Sequence, residues 1–431
     1  MSRAEQTNSK RSKSPSRSFF KSAPAHIMAP RVMVALSTLA LVVLGLVMVY
    51  SSSSITAFVE QGDSTGEAIK QCLFVIIGIV FAVGAILFGK HDFLRGTGAL
   101  IFWGVCMALL VLTALLGTVG LGAKRWLIVG PVSIQISEFA KIAFVLLAAR
   151  IAEDYRNGAI DMYEALKQAA IFIIIPLGFL FVTQSDLGTT LICCVGLFMV
   201  LVLSGLPSRI IVGILAVGAV LVLVAILLSS YRSDRLFNFL DPWSDEQGTG
   251  YQLIHSFKAL AAGGFFGVGI GNSYEKLQYL PEAETDFIFA IIGEELGLFG
   301  ALLVICAFLV FLRGGFLIAS QSKSMFSGFV AAGLTTMIVF QAFLNIACVV
   351  GLFPTTGKPL PFISSGGSSM ISSLLLVGII LAISFDSHNE DEYRQRREQL
   401  HVVSTYSQPQ RQDQAKLLSR IVVAHCETLF R

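Results

Sequence analysis

Apolar runs follow one another along this chain, each long enough to cross a hydrocarbon layer, and they restrict it to the few folds that a bilayer tolerates. Stretches near the spanning length of roughly 17 to 25 residues fall at about residues 31–52, 70–89, 97–119, 138–153, 166–183, 187–205, 208–229, 286–312, 325–351 and 368–385. Hydrocarbon offers no water to peptide groups, so such segments must bond internally as helices. The expected fold is an all-α polytopic membrane protein with about ten transmembrane helices. Composition agrees, with 55% of the 431 residues hydrophobic and 14% charged, far from a soluble domain.

Charge placement orients the helices. Residues 1–30 carry Arg3, Lys10, Arg11, Lys13, Arg17 and Lys21 against Glu5, which reads as a disordered basic tail. The first apolar run exceeds a signal-peptide core and no small-residue cleavage site follows it; Ser51 to Ser54 read as its exit loop. An even number of spans puts both tails on one side, together with Lys90, Arg95, Arg150, Arg156, Arg209, Arg313 and Lys323. By the positive-inside rule that side is cytoplasmic. The domain plan is therefore a cytoplasmic tail (1–30), a membrane domain (31–385) and a charged cytoplasmic C-terminal tail (386–431). Lys124, Arg125, Arg232, Arg235, Lys258, Lys276 and Lys358 fall on the far side, against the trend. The longest outside segment, about 230–284, joins the seventh and eighth spans. The seven cysteines are odd in number and lack C-x-x-C spacing, so neither a disulfide framework nor a metal site is expected.

The stretch Pro281-Glu282-Ala283-Glu284-Thr285-Asp286-Phe287-Ile288-Phe289, closed by Gly293-Glu294-Glu295-Leu296-Gly297, sets carboxylates at the mouth and inside of an apolar segment. A carboxylate at membrane depth needs a partner, a water-filled cavity or a proton, which makes it a site hypothesis. Asp286 follows Thr285, a candidate helix cap, and is either a general base or a component of an interfacial cap without chemistry. Ala290, Gly293, Gly297 and Gly300 share its side of a helix and form a small-residue stripe suited to close packing.

Other outside corners are also patterned. Lys124-Arg125-Trp126 precedes a Gly130-Pro131 turn, and alternation over 132–137 predicts a short strand before a helix capped by Ser137. Glu138 and Lys141 at i,i+3 are either a helix-stabilising pair or a phosphate contact. Asp186 is placed to cap the sixth span. The glycine run from Gly263 to Gly271 is open to two readings, an anion-binding set of backbone N–H groups or a plain loop. Phe353 to Ser369 gathers prolines, glycines and hydroxyls, irregular backbone that a membrane admits only where it is buried or lines a cavity.

With these motifs in order, the chain resembles the SEDS family (shape, elongation, division and sporulation), to which FtsW and RodA belong. The resemblance covers about residues 31–385. It rests on Lys124-Arg125-Trp126 with Ser137-Glu138-Phe139-Ala140-Lys141, Gln184 to Gly188, Phe239-Leu240-Asp241-Pro242-Trp243 with Gly250-Tyr251-Gln252, Pro281 to Gly297, and Pro359 to Ser369. It implies an inverting peptidoglycan glycosyltransferase that polymerises lipid II on the outer face of the bacterial cytoplasmic membrane and releases undecaprenyl diphosphate. The family's essential acid matches Asp286. Arg125, Lys141, Arg235 and Lys358 are then candidate substrate-binding cations, with Glu138, Glu282 and Ser364 beside them. Lys358 and Ser365 depart from the usual pattern, as do Ile136 and Ser185, where the family often has proline.

A divalent cation oriented by Glu138 and Glu282 is an open alternative, and no other cofactor is implied. The Met48-Val49-Tyr50-Ser51 segment, the long basic tail and Leu280-Pro281-Glu282-Ala283 favour the FtsW-like division subtype over a RodA-like elongation enzyme. The implied partners are lipid II, a class B penicillin-binding transpeptidase and other division proteins; no nucleic acid is expected. Two other classes compete: a lipid II flippase using Glu294 and Glu295 as proton relays, and a scaffold without catalysis.

Overall fold

The computed structural model describes residues 25–61, 64–89, 91–120, 123–130, 132–227, 239–248 and 250–386. The expected tails lie almost wholly outside the described residues, and Arg232 and Arg235 do entirely. In chain order the helices are α1 (Ala25–Gln61), α2 (Gly66–Phe88), a single turn α3 (His91–Arg95) and α4 (Thr97–Leu116). A small sheet of β1 (Thr118–Gly120), β2 (Ala123–Val129) and β3 (Val132–Ile134) follows, then α5 (Ser137–Arg156). Next come α6 (Met162–Gln184), α7 (Leu187–Leu203) and α8 (Ser208–Leu227). The last are α9 (Tyr251–Gly263), α10 (Ile288–Ser320), α11 (Met325–Val349) and α12 (Gly367–Asp386).

Every expected span coincides with a helix. Among the described residues, seven of these helices are long and apolar enough to cross a membrane. Of the other three, α7 has 17 residues, α8 stands apart with most of its described side chains exposed, and α5 carries Glu138, Lys141, Arg150, Glu153, Asp154 and Arg156. Nearly every residue of α5 from Ser137 to Ala149 is buried; Glu138 and Lys141 there pair with each other, and Arg150, Asp154 and Arg156 lie at its more exposed end. Helices α11 and α12 form the centre, each mostly buried. Along them, α1 packs on α10, and α5 and α7 pack on α11.

Several local expectations need correction. Ser51 to Ser54 are not an exit loop, since α1 continues through them to Gln61. The strand at 132–134 forms, but it pairs with β2, which in turn pairs with β1, so a three-stranded patch stands where one strand was expected. Ser137 does not cap α5: Ile136 holds the cap position and makes no side-chain bond there. Asp186 does cap α7, accepting from the Thr189 N–H at 3.0 Å.

Helix α10 is broken once, at Gly297 (φ 66°, ψ −165°), in the left-handed half of backbone space that glycine enters without penalty. The break is filled by the loop after α9. The Leu298 and Phe299 N–H groups donate to the Gly264 and Phe265 carbonyls at 3.0 and 3.2 Å, while Val268 and Gly269 donate to the Glu294 and Glu295 carbonyls at 2.9 and 3.0 Å. Four bonds thus replace those the kink removes. Glycines 263, 267, 293 and 297 admit this approach, for a Cβ at Gly297 would reach within 2.6 Å of the Phe265 carbonyl oxygen. Within the glycine run the N–H groups of Gly267, Val268 and Gly269 are thereby committed to backbone carbonyls.

Candidate active site

Asp286 opens on a cleft of about 310 Å³, mouth included, shared with Gln252 of α9, Asn345 and Cys348 of α11, and the Thr355 to Lys358 segment. It does not stand on the helix. Helix α10 starts at Ile288 with Phe287 in the cap position, and Asp286 belongs to the turn before it. Thr285 is no cap either, because its hydroxyl donates to the Glu282 carboxylate at 2.7 Å. Of the small-residue stripe, Gly293 and Gly297 mediate close packing onto α9 and the loop after it, whereas Gly300 faces Leu296 of its own helix.

The turn is held at three successive carbonyls. Glu284 O accepts from the Ser365 N–H at 2.8 Å, Thr285 O from the Ser364 hydroxyl at 2.5 Å, and Asp286 O from Asn345 Nδ2 at 2.7 Å. The same Asn345 nitrogen reaches the Lys358 carbonyl at 2.8 Å, so one amide ties together both loops that flank the cleft. Ser364 is in turn anchored by the Leu360 N–H at 2.8 Å, and its carbonyl takes Gln71 Nε2 of α2 at 3.0 Å. Gly357, at φ 66°, sits against the Asp286 carboxylate: a Cβ there would lie 3.3 Å from Asp286 Oδ2.

Two buried ion pairs stand behind this wall. Lys358 Nζ donates to Asp186 Oδ2 at 2.7 Å, and Gln135 Nε2 donates to the same oxygen at 3.1 Å. Burial opposes the charge on Asp186, but the Lys358 ammonium and hydrogen bonds from Lys358 and Thr189 outweigh it and hold the carboxyl below the usual range. Lys141 Nζ donates to Glu138 Oε2 at 2.7 Å and Gln341 Oε1 at 3.0 Å. Gln341 passes the contact on to the Pro359 carbonyl at 2.9 Å. Lys141 and Glu138 are thus sealed in the bundle, within the pair that their spacing allowed, while Lys358 is among the residues that line the cleft and its side-chain carbons pack against Gly188.

The remaining candidates are placed differently. Arg125 of β2 donates from Nε to Gln184 O at 2.8 Å and from a terminal nitrogen to Ser185 O at 3.1 Å. It braces a corner where Ser185 takes φ 49°. Glu282 is exposed, at φ 56°, and holds Thr285. Arg235 lies outside the described residues. Among the described residues no three His, Cys, Asp or Glu side chains converge to hold a metal ion.

Glu294 and Glu295 have fixed partners. Glu295 accepts from Lys276 Nζ at 2.8 Å and Ser51 Oγ at 2.7 Å, and Glu294 from the Tyr274 N–H at 2.8 Å and the Ser273 hydroxyl. They fasten the 273–276 loop to α1 and α10. Sequence reasoning missed Asn345 and Gln341, yet a signal existed: two amides four residues apart share one face of a 25-residue helix that carries no charged residue.

Residues 31–389 match the sequence profile of the cell cycle protein family that groups FtsW, RodA and SpoVE. The chain belongs to the SEDS family. A probable peptidoglycan glycosyltransferase FtsW of Taylorella equigenitalis is 37% identical to this SEDS protein over 367 residues, 80% of this chain and 95% of its own. Stage V sporulation protein E of Bacillus subtilis is 36% identical over 361 residues, 83% of this chain and 97% of its own. A chain of a solved peptidoglycan synthase complex, described as coordinating polymerization and crosslinking, superposes with a TM-score of 0.67 at 28% identity, over 82% of this chain and 97% of that one. Thermus thermophilus RodA shares the fold, with a TM-score of 0.61 at 24% identity over 83% of this chain and 97% of its own.

Proposed function

We propose that this SEDS protein is a peptidoglycan glycosyltransferase that polymerises lipid II, with Asp286 as its general base. The observation that carries the reading is the position of Asp286: it lines an open cleft, and its own carbonyl and the two before it are pinned by Asn345, Ser364 and Ser365. A base so held keeps its reach to a bound hydroxyl constant, which general-base catalysis requires. Asp286 takes the proton of the acceptor sugar's 4-hydroxyl as that oxygen attacks the donor's anomeric carbon. The bond to undecaprenyl diphosphate breaks, and a single displacement with no enzyme nucleophile inverts the anomeric centre. Arg125 and Arg235 are the cations assigned to the leaving diphosphate. Lys358, Lys141 and Glu138 keep the framework, and Glu282 and Ser364 fix the turn that carries the base.

In this reading all ten helices cross the membrane, the segment at 230–284 is outside, and both tails are cytoplasmic. The division role follows the FtsW-like features of the chain, and a class B transpeptidase supplies crosslinking, in keeping with the synthase complex that the fold resembles. A translocation role finds less support, because Glu294 and Glu295 are engaged by serines, a lysine and backbone, which leaves them poorly suited as a mobile relay.

The test is polymerisation of purified lipid II by wild type and Asp286→Asn, each with and without the cognate transpeptidase. The variant should melt like wild type and lose about 10²- to 10⁴-fold in rate. Equal polymer from both proteins would remove Asp286 from the chemistry. No polymer from wild type with its partner would move the assignment to translocation or scaffolding.

A further inference from the structure

The loop that fills the break in α10 presents its apolar side outward. Phe265 and Phe266 are 62% and 82% exposed, and Val268 and Ile270 are exposed beside them. Their height is fixed by the wedge itself, because Gly264 and Phe265 bond Leu298 and Phe299 directly. Below that level the outward face of α10 is Leu298, Phe299, Leu302, Leu303, Leu309 and Val310, all exposed. From Leu298 to Arg313 the helix rises about 23 Å, less than the roughly 30 Å apolar depth of a bilayer. With Arg313 at the lower surface, the break lies inside the upper part of the lipid belt, and the phenylalanines continue that belt sideways. Just above, Tyr274 is tied to Glu294 through its N–H at 2.8 Å and stacks on Tyr279, with their hydroxyls 3.1 Å apart. Tyrosines above and phenylalanines below reproduce the order of an aromatic belt at a membrane surface.

We infer that residues 264–270 form a ledge embedded in the leaflet on the cleft side, with Phe265, Phe266 and Ile270 among the acyl chains. This inference stands apart from the reaction assigned to Asp286. It gives the wedge a mechanical role: the ledge links the lipid surface to the Glu294–Glu295 segment, and hence to the start of α10 next to the base. Glycine at 263, 267 and 297 lets the ledge seat without a gap, so the membrane and the cleft share one rigid element.

The experiment places a reporter on the ledge of the full-length protein in phosphatidylcholine nanodiscs. Phe266→Trp and, separately, Ile270→Trp are compared with wild type, so that the emission of Trp103, Trp126 and Trp243 is subtracted. The added emission should be blue-shifted, strongly quenched by phosphatidylcholine brominated on its chains, and little affected by aqueous acrylamide. Quenching by acrylamide without quenching by brominated lipid would overturn the ledge, and so would the absence of both. Adding a purified transpeptidase provides a further arm: persistence of bromolipid quenching supports the lipid assignment, and its loss would give this face to a protein helix instead. Both substitutions are at exposed positions, and a monodisperse elution profile with unchanged melting confirms that each variant is folded.

Discussion

The two ends of the helix bundle handle charge in opposite ways. At the cleft end, three lysine–carboxylate pairs are nearly sealed: Lys141 with Glu138 at 2.7 Å, Lys358 with Asp186 at 2.7 Å and Lys276 with Glu295 at 2.8 Å. At the other end of α5, Arg95 forks to Glu153 and Asp154 at 2.5 Å each, with its own side chain 37% exposed. The difference follows from the backbone each end contains. The far end joins regular helices by short turns, and Glu153 has one further duty, accepting the Phe326 N–H at 3.1 Å where α11 begins. The cleft end holds the irregular segments 281–287 and 354–366, whose peptide groups need polar partners that hydrocarbon cannot give. Buried pairs are weak sources of net stability, but losing one partner strands a charge. Such pairs specify position, and here they specify the walls of the cleft.

That contrast can be broken most forcefully at Lys358. Replacement by Met leaves Asp186 buried without its cation and should destabilise the protein by about 3–5 kcal/mol, read as a large drop in melting temperature. Pairing Lys358→Met with Asp186→Leu should recover most of that loss while polymerisation stays low. A double variant as unstable as the single one would show that packing, not the stranded charge, sets the penalty.

Asn345→Ala should come next. It removes the donor that serves Asp286 O and Lys358 O and leaves buried carbonyls unsatisfied, at about 1–3 kcal/mol. If Asn345 positions the base, kcat falls more than lipid II affinity, whereas equal losses in both would mark a general structural defect.

Acid should act on the sealed end through Asp186. Its folded-state carboxyl titrates below the unfolded value of about 3.9, so its contribution is complete above that value and fades as pH falls through the lowered one. Melting curves taken downward from neutral pH should lose part of this acid dependence in Asp186→Asn, and an unchanged slope would assign the dependence to other carboxylates. The smallest effect belongs to the open end. Arg95→Met should cost about 1 kcal/mol or less, because water screens the fork, with polymerisation unaltered. A loss as large as that of Lys358→Met would erase the distinction between the two ends.

Much of this was legible in the residues. Apolar runs located every long helix because hydrophobicity over some twenty residues is a local property, and Asp186 announced itself as a cap by its place before Leu187-Gly188-Thr189. The same logic failed at Thr285, whose hydroxyl turns back to Glu282, and at Ser137, which is buried as the first residue of α5. Glycines 263, 267, 293 and 297 were visible as small residues. That Gly263 ends α9, Gly267 lies in the loop after it and the other two lie in the helix that the loop repairs was not, since the contact joins segments some thirty residues apart.

By itself the sequence determined the class of molecule, the placement of its helices, the family to which it belongs and the acid around which the cleft is built. These depend on composition, period and motif, all written along the chain. Only the tertiary structure decided that Lys141 and Lys358 are enclosed by Glu138 and Asp186, that Asn345 holds the turn of Asp286, and that the break in α10 is closed by a loop with exposed phenylalanines. A buried charge or an unpaired peptide group takes whichever partner the fold brings within about 3 Å, and that neighbour is set by packing between distant segments.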